Sequence, residues 1–85
     1  MIEFCYTVKD PVGIHARPAG MLAKKAKEFN SEIILSKGEK SANATRLMSV
    51  MGLCVKGGDS VRVTVNGRDE ERAAEEIRRF FEQTL

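Results

Sequence analysis

The chain is poor in the residues that carry most enzyme chemistry. It has a single histidine, two cysteines, two prolines, and an aromatic content of 6%. The two cysteines, Cys5 and Cys54, are far apart and lack metal-ligand spacing, so reduced, packed thiols are expected rather than a disulfide or a metal site. No P-loop and no cluster of metal-binding carboxylates occurs, so neither a nucleotide nor a metal or other cofactor is expected. No apolar run is long enough to cross a membrane and no signal-peptide pattern opens the chain, so the expected compartment is the cytoplasm, without membrane insertion. The net charge is only +2 and the basic residues are spread along the sequence. That argues against a chain built to hold nucleic acid. An RNA-binding α+β domain would need aromatic stacking residues on strands, and only Phe4 and Tyr6 lie in one, both on the parity assigned to the core.

What remains is an ordinary globular composition, 42% hydrophobic and 31% charged, in 85 residues. This length suits one domain, residues 1–85, with a modest core and little room for a deep cleft. Ile2, Phe4, Tyr6 and Val8 alternate with Glu3, Cys5 and Thr7, the period of a half-buried strand. Asp10, Pro11 and Gly13 break it. Ala16, Ala19, Leu22, Ala23, Ala26 and Phe29 then form a helical stripe, ended by Asn30 and Ser31. Ile33 to Leu35 predict a second strand, and a turn at Lys37-Gly38-Glu39 leads to a third near Lys40 to Ala44. Leu47 to Leu53 reads as a brief helix. Val61, Val63 and Val65 alternate in a fourth strand, broken by Asn66-Gly67. In the last helix Ala73, Ala74, Ile77, Phe80 and Phe81 share a face, with Asp69, Glu70 and Glu71 at its start and Arg78 and Arg79 nearer its end, as the helix dipole favours. The order β-α-β-β-α-β-α, with one wet face per strand, predicts an α+β sandwich: an antiparallel sheet covered by helices on one side.

The lone histidine lies in Val12-Gly13-Ile14-His15-Ala16-Arg17-Pro18-Ala19-Gly20. A single histidine in a small domain is most often structural or simply exposed, but these neighbours point elsewhere. Gly13 permits a tight turn, and Pro18 falls in a first helical turn, where its missing N–H costs nothing. His15 then sits at the helix start beside the free N–H groups of Ala16 and Arg17, a place of partial positive charge that receives anions. Arg17 adds a forked cation suited to phosphate. A nucleophilic imidazole beside a phosphate cradle, with no nucleotide site, describes a carrier of phosphoryl groups that needs a donor and an acceptor protein. The short apolar helix leaves two readings open. Leu47, Met48, Val50, Met51 and Leu53 surround it almost completely, so either all are core or some form an exposed docking patch.

Gly13 to Ala19 resembles the active-site signature of the HPr family, the histidine-containing phosphocarriers of the bacterial phosphoenolpyruvate-dependent sugar phosphotransferase system. The resemblance covers essentially the whole chain, and Leu47 to Leu53 is similar to the family's second signature region, less well kept. It implies an open-faced β-sandwich, a four-stranded antiparallel sheet with three helices on one face. It implies a carrier rather than an enzyme, a monomer phosphorylated by enzyme I on Nδ1 of His15, with Arg17 assisting and Ala16 and Arg17 binding phosphate. The phosphoryl group then passes to an EIIA domain and on to a sugar. Ala16, Gly20, Leu47, Met48 and Met51 match partner-binding positions, which leaves Val50, Leu53 and Val55 as the buried set. Relatives that act mainly as regulatory binding modules are the alternative.

Two departures from the family pattern stand out. Val12 replaces the Asn or Ser often found there, whose side chain can support the active-site loop, so altered loop support or His15 orientation is expected. Arg46 replaces the regulatory serine that a kinase phosphorylates in many Gram-positive relatives, so escape from that control is expected, unless Thr45, read as a helix N-cap, or Ser49 has taken the role.

Overall fold

A computed structural model describes residues 1–85. The elements follow the expected order: β1 (Ile2–Thr7), α1 (Ala16–Ala26), β2 (Ser31–Lys37), β3 (Lys40–Asn43), α2 (Leu47–Met51), β4 (Ser60–Gly67) and α3 (Glu70–Thr84). The strands form one antiparallel sheet in the order β1-β4-β2-β3. The last strand in sequence is therefore a central one. Its three valines make the middle row of the core: Val63 lies between Phe4 of β1 and Leu35 of β2, and Val65 between Ile2 and Ile33. All three are almost wholly buried.

Because strand side chains alternate faces, the other parity of the same strands meets water: Glu3, Cys5 and Arg62 are exposed. The helices cover only the apolar face, as the open-faced sandwich requires. Leu22 and Ala26 from α1, Val50 from α2, and Ala73, Ile77 and Phe81 from α3 join the strand residues in one core cluster. Phe81 packs edge-on to Phe4, with centroids 6.3 Å apart, and tilted against Tyr6 at 5.5 Å.

Several local expectations are revised. Helix α1 stops at Ala26, one turn before Phe29. The N–H groups of Glu28 and Phe29 donate to the carbonyls of Lys25 and Ala26, three residues back, so the chain tightens out of the helix while Phe29 stays buried. Gly67 does not break β4 but pairs with Ser31 as its last residue. Phe80 is only half-buried, at the border of the α3 face. Neither cysteine is packed: both are free and exposed. Cys5 has the wet parity of β1, opposite Arg62 on the uncovered face. Cys54 sits in the turn after α2 at φ +54°, a left-handed backbone uncommon outside glycine.

The start of α3 is tied to β2 by Asp69. Its carboxylate accepts hydrogen bonds from the Ser31 hydroxyl and, at 2.9 Å, from the Asn30 N–H. The Ser31 bond first and the Asn30 bond second hold this carboxyl below the usual aspartate range. A group whose folded pKa is depressed stabilises the fold above its unfolded pKa of about 3.9, and that contribution disappears as pH falls through the folded value. The stability gap between the native chain and Asp69→Ala in urea melts is therefore expected to be constant near neutrality and to narrow below about pH 4. A gap that keeps its neutral-pH size in strong acid would contradict this role.

Candidate functional site

The segment between β1 and α1 is held from three sides. From behind, the Ile14 N–H donates to the Val55 carbonyl at 3.0 Å. From within, Asp10 closes the turn: its carboxylate accepts the Val12 N–H at 2.9 Å and its carbonyl accepts the Gly13 N–H at 3.0 Å. From the far end of the chain, the Leu85 carbonyl accepts the N–H groups of Lys9 and Asp10. Gly13 lies at φ +83°, and a Cβ there would fall 2.2 Å from the Val55 oxygen. Only glycine lets the loop approach this closely.

The platform under the loop is itself braced by Asp59. Its carboxylate accepts the Lys56 N–H and pairs with Lys37 Nζ at 2.9 Å, and the same ammonium donates to the Cys54 carbonyl at 2.7 Å. The Lys56 amide, then the Lys37 contact, hold the Asp59 carboxyl below its ordinary range.

On this support Ile14 is buried, and the next residue, His15, emerges as the N-cap of α1 with an extended backbone, φ −102° and ψ −171°. Its carbonyl accepts the Ala19 N–H at 3.0 Å, the first bond of the helix. His15 makes no capping hydrogen bond with its side chain, and the first turn of α1 carries no acidic residue. Helix α3, by contrast, places Glu70 and Glu71 in its own first turn. The N–H groups of Ala16 and Arg17 belong to a turn without intrahelical acceptors. Pro18 follows, buried, where its lack of an N–H removes nothing. His15, Ala16 and Arg17 are all exposed. His15 and Arg17 share the rim of a shallow depression of about 310 Å³ with Asp10, Met21, Gln83 and Thr84.

The arrangement brings an imidazole, a guanidinium and a helix start together at the surface. It holds no group of histidine, cysteine and carboxylate side chains suited to a metal ion. Chemically, it can present a ring nitrogen to an incoming electrophile and meet an anion with amide donors.

The chain is matched over residues 2–83 by the family model described as the PTS HPr component phosphorylation site. It belongs to the HPr family. Phosphocarrier protein HPr of Lysinibacillus sphaericus is 46% identical over 72 residues, covering 85% of this chain and 82% of that one. The HPr-like protein Crh of Halalkalibacterium halodurans is 35% identical, covering 98% and 99% of the two chains. Among solved structures, HPr-C-His from Thermoanaerobacter tengcongensis superposes with a TM-score of 0.92 at 35% identity, covering 98% of this chain and 93% of that one. Members of this family are phosphoryl carriers rather than enzymes.

The remaining residues singled out in the sequence fall on α1, on α2 and on the segments flanking α2. Met48 is 76% exposed, Leu47 is exposed at 37%, and Met51 is half-buried against the core, so it offers only part of its side chain. Val50, Leu53 and Val55 are buried as expected. Gly20 is half-buried, and a Cβ there would meet nothing. Helices α1 and α2 pack against each other. Thr45 is not the N-cap of α2. Its hydroxyl and its N–H both donate to Asn43 Oδ1, and the cap position falls to Arg46 without a side-chain bond. Ser49 is exposed. Asp10 is the residue that sequence reasoning passed over, read only as a strand breaker. An aspartate two places before an N–H that needs an acceptor is the signal of an Asx turn.

Gly13→Ala is expected to cost about 2 kcal/mol or more, since it combines a left-handed backbone with a collision against the Val55 carbonyl. Urea denaturation measures it, and a loss below about 0.5 kcal/mol, the size of an ordinary surface change, would show that the loop is not locked as described.

Proposed function

We propose that this chain is the phosphocarrier of a phosphoenolpyruvate-dependent sugar phosphotransferase system, taking a phosphoryl group from enzyme I on His15 and passing it to an EIIA domain. The observation that carries the reading is the exposed imidazole at the α1 N-cap, one and two residues before amides that lack intrahelical acceptors. The lone pair of Nδ1 attacks phosphorus while the bond to enzyme I breaks and its electron pair stays with that protein. The ring keeps its proton on Nε2. The phosphoryl oxygens turn toward the N–H groups of Ala16 and Arg17, with a dipole contribution of about 0.3–1 kcal/mol at an exposed site. The Arg17 guanidinium neutralises developing charge on the same oxygens. Transfer onward reverses the step, the acceptor's nucleophile displacing the imidazole.

Ala16, Gly20, Leu47, Met48 and the exposed part of Met51 form the docking surface for both partners in this reading, which works as a monomer in the cytoplasm. Arg46 supplies no hydroxyl to a serine kinase and leaves a cation where a phosphate would repel partners, so the carrier stays open to enzyme I. Similarity to the Crh protein supports a second reading, a regulatory phosphoprotein with little part in sugar flux. Onward transfer to a sugar-specific EIIA separates the two.

Incubation with enzyme I and phosphoenolpyruvate is expected to add one acid-labile phosphoryl group by intact mass. His15→Ala is expected to take none while melting like the native chain. Label that persists in the variant would end the assignment. Met48→Glu is expected to weaken enzyme I binding about tenfold, a charge placed in an apolar contact, with its melting temperature nearly unchanged because the side chain is wet. Unfolding of that variant, or binding at native strength, would remove Met48 from the docking surface.

A further inference from the structure

From Pro11 to Ile14 the sequence supplies no polar side chain, yet this is the segment that delivers His15. Its three N–H groups are nonetheless all used. Ile14 donates to Val55, while Val12 and Gly13 both donate to Asp10, one to the carboxylate and one to the carbonyl. Asp10 is itself fixed. Its N–H donates to Leu85 at 2.8 Å, and its carbonyl lies where a Cβ on Gly57 would come within 2.7 Å. The Asp10 backbone is therefore held against the end of α3 and the turn after α2, and its carboxylate reaches forward from that fixed point to the approach to α1. Val12, whose side chain offers no hydrogen bond and is 64% exposed, contributes only its amide.

We propose that the Asp10 carboxylate is a positioning residue for phosphoryl transfer: by accepting the Val12 N–H it sets the path of residues 10–14 and hence the direction in which His15 leaves the loop. The inference rests on the reading of His15 as phosphoryl acceptor. The step it serves is the one described above, with the ring nitrogen bonding phosphorus as the donor's bond breaks. Asp10 takes no part in the bonds made or broken. It acts because in-line displacement is steep in angle and distance, and a displacement of about 1 Å can cost as much as a hundredfold in rate. The requirement is for an acceptor atom at a fixed reach, two residues from its own Cα, rather than for negative charge.

Two variants separate acceptor from charge. Asp10→Asn keeps Oδ1 at the same reach and loses the charge. Asp10→Glu keeps the charge and moves the oxygen out by one methylene. The native chain is first charged by phosphorylated enzyme I. If it takes no label, the carrier reading fails and Asp10 is not at issue. With label established, rapid-quench single-turnover transfer is measured for all three proteins, with circular dichroism and the His15 ring resonances as companions. Asp10→Asn is expected to transfer within about twofold of native, and Asp10→Glu at least about fivefold more slowly, with a native-like spectrum and shifted His15 ring signals. Transfer by Asp10→Glu at the native rate, or by Asp10→Asn as slowly as Asp10→Glu, would overturn the proposal.

Discussion

The approach of the 10–15 loop to the turn after α2 is the contact on which the site depends. It is a backbone contact: the Ile14 N–H meets the Val55 carbonyl, and Gly13 is absent of Cβ where any larger residue would strike that oxygen. Ile14 turns inward to the core, and its neighbour His15 turns outward. The platform owes its shape to Asp59, which fastens Lys56 from one side and Lys37 of β2 from the other. The Lys37–Asp59 ion pair thus ties β2 to the turn on which the loop rests.

The same economy explains how so small a chain keeps its one histidine in the open. The core is formed by the valine row of β4 and the aromatic and aliphatic faces of three helices, none of which involves His15, Ala16 or Arg17. Helix α1 buries Pro18, Ala19, Leu22, Ala23 and Ala26 along its length and presents its first two residues, Ala16 and Arg17, to solvent. Packing therefore fixes the helix axis while its N-terminal end stays available. In α3 the corresponding end is occupied by acidic side chains and knotted to β2 through Asp69. One helix start completes the fold, and the other is left open at the surface, without an acidic side chain in its first turn.

Much of this was legible in the residues. Alternation in β1 and β4, the stripe of α1 and the apolar face of α3 follow from period alone, because a half-buried element writes its burial into its spacing. The helix start at His15 followed from Gly13 and Pro18, whose backbone preferences are local. What the sequence concealed depended on tertiary partners. Phe29 continued the helical stripe in spacing, yet the helix tightens before it. Thr45 had the residue type of an N-cap, but Asn43, two residues earlier, captures its hydroxyl. Met51 looked like part of an exposed patch and lies half in the core. Cys5 was expected to pack although its strand parity pointed to the wet face. Asp10 was hidden for a different reason: a turn residue beside Pro11 needs no further purpose until its acceptor bond is seen.

The central claim is that the start of α1 receives the phosphoryl group that His15 carries. The most direct measurement compares 1H–15N spectra of the free and phosphorylated chain. The amides of Ala16 and Arg17 are expected to move strongly downfield on phosphorylation, as N–H groups do when they donate to a phosphoryl oxygen, while the amides of β4 and α3 stay in place. Amides of Ala16 and Arg17 that do not move, on a chain shown to carry phosphate, would contradict the account.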